Sequence, residues 1–451
     1  MTTRLRTLAE ALHATFWVIP VLMTLAAITL SFVLVTLDEA VREPTLAQVG
    51  WLWNGGPEGA RALLSTVAGS MITVAGVVFS VTIVALSLAS SQFGPRLLRN
   101  FMRDTGNQIV LGTFIATFVY CLLVLRTVRG VATQEFVPSI AITGGVVLAV
   151  LSLGVLIYFI HHVSASIQVT HLITAVSHDL LRAIDRLFPE TLGHGASEPP
   201  RSQHTPPPEA CGRETRTVHA SRSGYVQAID SDGLMQLATA HDLRLHVTHR
   251  PGHFVVQGTA LVTVWSGGPV DASPAEQIQN TFILGAERTL TQDVEFAVDQ
   301  LVEVAVRALS PGINDPFTAM ACVDRLGEAL CRLAERVLPS PDRYDAHGTL
   351  RVIADPITFA ELTDAAFTKI RQYGRSSAAV TIRLLETLAV IAAHTSRPED
   401  RAALHHHTLL IARGAQQAFP EAWDRRVADE RYRAVERALG LESVDHPSRA
   451  G

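Results

Sequence analysis

Apolar residues are not spread evenly along this chain. Up to about residue 160 they gather in four runs, near 15–37, 63–90, 109–125 and 140–160, and beyond that they become periodic and mixed with polar residues. A helix needs about 20 apolar residues to cross the hydrocarbon core of a bilayer, and each run is of that order. None carries Asp, Glu, Lys or Arg in its interior, as the cost of placing an ion in hydrocarbon demands. The pattern predicts a membrane α-helical domain of four transmembrane helices over 1–160, followed by an α+β region. The first run is longer than the apolar core of a signal peptide and meets no small-residue cleavage site before Asp38 and Glu39, so it reads as a retained span.

Past His161 and His162 the apolar positions Ile167, Leu172, Val176, Leu180, Ala183 and Leu187 recur every three to five residues, as on one helix face. They predict a helical stalk over 161–188 that continues the fourth span. Residues 189–216, with Pro206, Pro207 and Pro208, read as a Pro-rich linker. The period then changes to two. Strands are expected at 224–229, 243–248, 254–256 and 261–265, with turns at Pro251-Gly252 and Gln257-Gly258 and a short helix over 234–240. This order, over 217–266, is similar to a small barrel-sandwich module of the biotinyl/lipoyl type. The stretch contains no lysine, so only the shape and no covalent cofactor can carry over.

From 274 to 440 the pattern predicts a helical bundle. One stripe holds Ile278, Phe282, Leu290, Val294, Val298, Leu301, Val302 and Ala305 and implies a helix over 276–309. Ser310-Pro311-Gly312-Ile313-Asn314-Asp315-Pro316 breaks it, and Asn314 or Asp315 caps a next helix with Pro316 in its first turn. That helix is expected to reach about Val337, with others near 359–372, 376–394, 397–419 and 429–439. Residues 441–451 read as a disordered tail.

Composition and charge narrow the function. The chain of 451 residues is 48% hydrophobic and only 18% charged, and its net charge of −5 without a basic, aromatic-interleaved stretch argues against a nucleic-acid partner. Arg4 and Arg6 precede the first span and Arg96, Arg99 and Arg103 crowd the loop after the second, whereas the loop after the first span has no basic excess. By the positive-inside rule both termini are cytoplasmic, in a multi-pass protein of the bacterial inner (plasma) membrane. Cys121, Cys211, Cys322 and Cys331 form no metal-ligand spacing. No phosphate-binding loop, dinucleotide fingerprint, nucleophile elbow or metalloprotease motif occurs, so the chain does not read as an enzyme and no cofactor or metal is expected.

The second span carries the most chemistry. At 100° per residue, the hydroxyls of Thr66, Ser70, Thr73, Ser80, Ser87 and Ser91 fall within an arc of about 100°, and Val77 and Val84 share it. Thr82 and Ser90 lie outside the arc. Val78, Phe79, Ile83 and Leu86 form the opposite face, suited to lipid or core. Hydroxyls can replace part of an ion's hydration shell and valines can gate by dewetting. The arc is therefore a candidate pore lining of a homo-oligomeric ion channel, with Arg96, Arg99 and Arg103 at a cytoplasmic mouth whose potential favours anions. Two other readings stay open. Small and hydroxyl residues also let helices pack closely, which makes a membrane-anchored regulatory or scaffold protein the alternative, and the arc could serve a secondary transporter. The partners these readings imply are the lipid bilayer, further copies of the chain and a small ion.

Two further groups need an account. His161, His162, His171 and His178 cluster on the stalk without metal-site spacing. Glu295, Asp299 and Glu303 repeat at four-residue spacing, where like charges repel, so a partner such as Arg288 or Arg307 is expected.

Two long segments, Phe79-Ser80-Val81-Thr82-Ile83-Val84-Ala85-Leu86-Ser87-Leu88-Ala89-Ser90-Ser91-Gln92-Phe93-Gly94-Pro95-Arg96 and Arg307-Ala308-Leu309-Ser310-Pro311-Gly312-Ile313-Asn314-Asp315-Pro316-Phe317-Thr318-Ala319, are familiar together. In them the chain resembles the bacterial membrane proteins grouped as domain of unknown function 2254, over nearly its whole length. The resemblance implies this layout in an inner membrane and carries over no catalytic or binding residue.

The arginine asymmetry sets a test. A reporter active only in the cytoplasm should work when fused after Leu187 or at Gly451 and stay silent near Gly55. The reverse pattern would overturn the orientation.

Overall fold

The computed structural model describes residues 17–40, 53–93, 104–131, 134–166, 168–188, 214–266 and 272–441. The chain divides into two compact units, Met1–His171 and Leu172–Gly451. Most of the expected linker over 189–216 and all but the first residue of the expected tail over 441–451 lie outside the described residues.

The first unit is built from α1 (Val18–Ala40), α2 (Pro57–Phe93), α3 (Thr105–Thr127) and α4 (Ser139–Ser166). All four are long and apolar enough to cross a membrane. The helices outrun the apolar runs, because flanking polar residues keep helical hydrogen bonds. The 37 residues of α2 rise about 56 Å at 1.5 Å per residue, well beyond the roughly 30 Å of hydrocarbon. A short antiparallel hairpin, β1 (Arg129–Val131) and β2 (Gln134–Phe136), joins α3 to α4.

The central helix is α3, packed against α1, α2 and α4. Its buried residues include Val110, Phe114, Thr117, Tyr120, Cys121 and Val124. A Cβ on Gly112 would lie 2.6 Å from the Met23 sulfur and 3.2 Å from the Pro20 Cα, so the close approach of α1 requires glycine there. Several polar groups inside bond across helices. The Tyr120 hydroxyl donates to the Ala141 carbonyl at 2.7 Å, and the Thr117 and Ser152 hydroxyls lie 3.2 Å apart. Asp38, near the end of α1, accepts from the amides of Ile140 and Ala141 at 2.9 Å each and so caps the N-terminus of α4.

In the second unit, α5 (Val169–Leu187) corrects the expectation of one continuous stalk. The described helix stops at Ser166 and a new one begins at Val169. The physical reason is burial. Ile173, Val176, Leu180, Ala183 and Ile184 are buried, and Asp185 takes guanidinium hydrogen bonds from Arg332 and Arg336, so α5 is a packed element of this unit.

The β region is larger than the module expected over 217–266. It comprises β3 (Glu214–His219), β4 (Gly224–Ile229), α6 (Ser231–Ala240), β5 (Leu243–Val247), β6 (Phe254–Val255), β7 (Ala260–Ser266), α7 (Ala272–Gln279) and β8 (Phe282–Gly285). Two later strands, β9 (Asp342–Tyr344) and β10 (Leu350–Ala354), return to it. One sheet has the order β3-β7-β5-β10-β9, with β10 parallel to β5; the other is β6-β4-β8. Buried Val226, Leu245, Leu261, Val264, Phe282 and Val352 share one core between them. The expected helix over 276–309 is therefore corrected. Buried Phe282 and Leu284 alternate with half-buried Ile283 and Gly285, and β8 supplies hydrogen bonds that the edge of β4 would otherwise lack.

The helices α8 (Val294–Ala308), α9 (Pro316–Ala334), α10 (Phe359–Tyr373), α11 (Ala378–His394), α12 (Pro398–Ala418) and α13 (Ala422–Ala438) complete the unit. Asp315 caps α9 by accepting from the Thr318 amide at 3.1 Å, with Pro316 in the first turn, while Asn314 adopts φ +49. Arginines fasten sheet to helices. Arg288 donates to both Asp293 oxygens, at 2.7 and 2.9 Å, and to Asp299 at 2.7 Å. This meets the expectation of a partner for the acidic stripe. Gly252, at φ +95, leaves the space that the Asp293 carboxylate occupies. Arg250 grips Glu361 at 2.9 and 3.0 Å. Burial opposes the Glu361 charge, but Arg250 and the Thr358 amide prevail and hold its carboxyl at about 2.

Two tests follow. A fragment of residues 214–266 lacks β8 and β10, so its circular dichroism should be that of an unfolded chain, whereas residues 168–441 should fold; a β-type spectrum from the short fragment would refute the shared core. Burial, aided by Arg250 for His253, lowers the affinity of His253 and His407 for protons in the folded state. The unfolded chain then binds more protons, so stability is full above pH 6.5 and falls as pH drops below it. Thermal melts of His407→Gln should show a weaker decline between pH 7 and 5.5 than the parent.

Candidate functional site: the outward face of the second span

Seen along α2, the chain divides its residues sharply. Ala60, Leu64, Ala68, Ala75, Val78, Thr82 and Ala85 are buried. They recur at three-, four- and seven-residue spacing and form the contact with α3 and α4. Small side chains there bring the helices close. Thr82 turns its hydroxyl to the Val78 carbonyl at 2.8 Å.

The hydroxyl arc lies on nearly the opposite side of the helix. Thr66, Ser70, Thr73, Ser80 and Ser87 are exposed, and Val77 and Val84 are 59% and 64% exposed. Packing among the described residues therefore does not account for these side chains. Two of the small residues that also fit a packing face, Ala68 and Ala75, are buried, but Gly69 and Gly76 have nothing within 4 Å of a built Cβ. They join the outward side. Their seven-residue spacing, nearly two helical turns, is the signal by which the sequence could have grouped them on one side. The opposite face divides between the two settings open to it, core and lipid. Val78 is core, whereas Phe79 and Ile83 are 45% and 47% exposed, because the contact with α3 takes up only part of the helix circumference.

The hydroxyls are not idle donors. Thr66, Ser70 and Thr73 donate to the carbonyls of Ala62, Thr66 and Gly69 at 2.7–2.8 Å. Each proton is thereby used within the helix, and the oxygen lone pairs face outward. The face offers acceptors to a cation, to water or to a donor on another helix. Large apolar residues are exposed on α1 and α4, such as Leu22, Phe32, Val150 and Ile157, and also beside the arc on α2 itself, such as Ile72, Phe79 and Ile83.

A family model described as "Predicted membrane protein (DUF2254)" matches residues 13–390. The chain belongs to this family. Uncharacterized proteins of Mycobacterium bovis and Mycobacterium tuberculosis are each 34% identical to it over 432 residues, which is 94% of this chain and 81% of theirs. No solved structure matches it. Membership supports a membrane protein with this layout of four apolar helices and a mixed helical and β region.

The remaining expected sites fall as follows. The side chain of Ser91 and the mouth residues Arg96, Arg99 and Arg103 lie outside the described residues. His161, His171 and His178 are exposed. His162 lies 2.6 Å from Asp104, the cap of α3, and stacks on Tyr158 with ring centroids 5.2 Å apart. Among the described residues, Cys121 and Cys322 are buried free thiols and Cys331 is half-buried.

Proposed function

We propose that the protein is a homo-oligomeric ion conduit of the bacterial inner membrane, with α2 lining the path and the second unit, in the cytoplasm, regulating it. One observation carries the reading: a small, hydroxyl-rich arc of α2 is exposed without a packing partner among the described residues, beside the exposed apolar Ile72, Phe79 and Ile83. From Thr66 to Ser87 the arc rises about 32 Å, which matches the hydrocarbon thickness. Several copies around an axis would turn these faces towards one another. Hydroxyl oxygens would then replace hydration water, and Val77 and Val84 would form the apolar narrow points. The acceptor lone pairs favour cations along the path, and the mouth arginines favour anions at its end, so the ion's sign is left to measurement. In this reading the protein performs no covalent chemistry.

A second reading, an anchored regulatory or scaffold protein, draws on the loop between α8 and α9. It is held by amide donation from Asn314 to Ser310 and from Asp315 to Ala308, yet Ile313 within it is 44% exposed and Phe317, in the first turn of α9, is 77% exposed. A rigid loop with apolar tips suits a protein partner.

Flux through liposomes separates the two. Val77→Ser or Val84→Asn lowers the dewetting barrier and should raise ion flux several-fold. The same changes at Val78 should not, and Thr73→Phe or Ser80→Phe should block flux while assembly persists. Single cysteines at Val77 or Val84 should cross-link between copies in membranes, whereas one at Ala75 should not. Ion-tight liposomes for the parent and both valine variants would end the conduit reading; cross-linking without flux would leave a packed oligomer and favour the anchored protein.

A further inference from the structure

Three arginines meet in an open cleft of the second unit, between α10, α11 and α12. Arg371 comes from the last turn of α10, Arg375 from the turn beyond it, and Arg413 from α12. The cleft has a volume of about 140 Å³ and an apolar floor that includes Leu384 and Ile411. Thr381 and Gln417 are polar neighbours, and no carboxylate lines it.

Elsewhere in this unit several arginines have carboxylate partners. Arg250, Arg288, Arg332 and Arg351 are each held by one or two carboxylates. In the cleft, Arg375 donates to the neutral Gln417 amide oxygen at 2.7 Å. The Nε of Arg371 is sealed from solvent without a hydrogen-bond partner. Among the described residues no acid pairs with Arg371 or Arg413. Like charges gathered in this way repel one another, and a buried guanidinium nitrogen without an acceptor is unfavourable. The arrangement is complete only when an anion enters.

An independent feature points the same way. Gly414 sits inside α12 and lines the cleft, and a Cβ built on it meets nothing within 4 Å. Glycine is the poorest residue for a helix interior after proline. No close packing requires it here. What the missing side chain leaves is open room beside the guanidiniums, above the apolar floor.

We propose that this cleft binds a small, soluble, phosphate-bearing molecule, its phosphate held by Arg371, Arg375 and Arg413 and its apolar part resting on Leu384 and Ile411. A phosphate carries nearly two negative charges and three acceptor oxygens, which matches converging guanidinium forks better than a single carboxylate does. The proposal stands apart from the conduit reading, because binding is read out without flux.

The test uses the full chain in detergent, melted with inorganic phosphate, with ATP, and with sodium chloride at matched ionic strength. Phosphate or ATP should raise Tm by about 3–6 °C over the chloride control. The Arg371→Gln/Arg413→Gln double variant should lose that shift while its ligand-free Tm does not fall, since repulsion is relieved. Gly414→Glu, which supplies a carboxylate within the cleft, should also lose the shift, and Gly414→Ala should keep it. Equal stabilisation by chloride, or a shift that survives the double variant or Gly414→Glu, would overturn the proposal. So would a shift seen only in nanodiscs containing phosphatidic acid, which would assign the cleft to a lipid headgroup.

Discussion

Hydrocarbon offers no water to replace a missing hydrogen bond, and the first unit is arranged around that constraint. Its backbone is almost wholly helical. Tyr120, Thr117 and Ser152, which would be unfavourable if left unpaired inside, bond across helices. Asp38 is tolerated because the N-terminus of α4 supplies two amides to its carboxylate. The same constraint shapes the outward face of α2. Its threonine and serine protons turn back to their own helix, so the face is compatible with an apolar medium yet keeps acceptor oxygens on its surface. A face made in this way suits close contact with another copy or an ion path better than it suits lipid tails, and the conduit reading rests on it.

The second unit meets the need for paired backbone groups by bringing distant segments together. β5 is bordered by β7 on one side and by β10 on the other, although about a hundred residues, α8 and α9 among them, separate β5 from β10. The β region and the bundle are therefore parts of one folding unit. Arg288 and Arg250 reinforce the join, each linking a turn near the sheet to a carboxylate on or at the start of a helix. Arg371 and Arg413 lack carboxylate partners among the described residues, and the proposed ligand cleft between α10, α11 and α12 is built on them.

Local features were legible in the residues themselves. The four spans follow from length and apolarity, since no other conformation hides so many backbone groups in lipid. Asp315-Pro316 marks the start of α9 because a capping carboxylate and a fixed φ act within one turn. The strands over 224–266 follow from period-two alternation. Phe282 misled because a single residue four positions beyond Ile278 fits both a helix face and a strand, and pairing with β4 decides between them. The break between Ser166 and Val169 was equally hidden. The stripe continues across it, and only the burial of α5 in the second unit separates the two helices.

The candidate site divides along the same line. Helical geometry alone placed Thr66, Ser70, Thr73, Val77, Ser80, Val84 and Ser87 on one face, because 100° per residue holds wherever a helix forms. It could not say whether that face was turned inward or outward, since small residues line both sides of α2. The packing of Ala68, Ala75, Val78 and Ala85 against α3 decided that, by taking the other side. The arginine cleft was invisible from sequence altogether, because Arg371 and Arg413 come from separate helices and their lack of carboxylate partners exists only in three dimensions. The sequence by itself determined which segments enter the membrane and where each residue sits around its own helix, for these depend on local spacing and desolvation. Which faces meet, which strands pair and which charges go unpaired were decided by tertiary structure, because each depends on residues far apart in the chain.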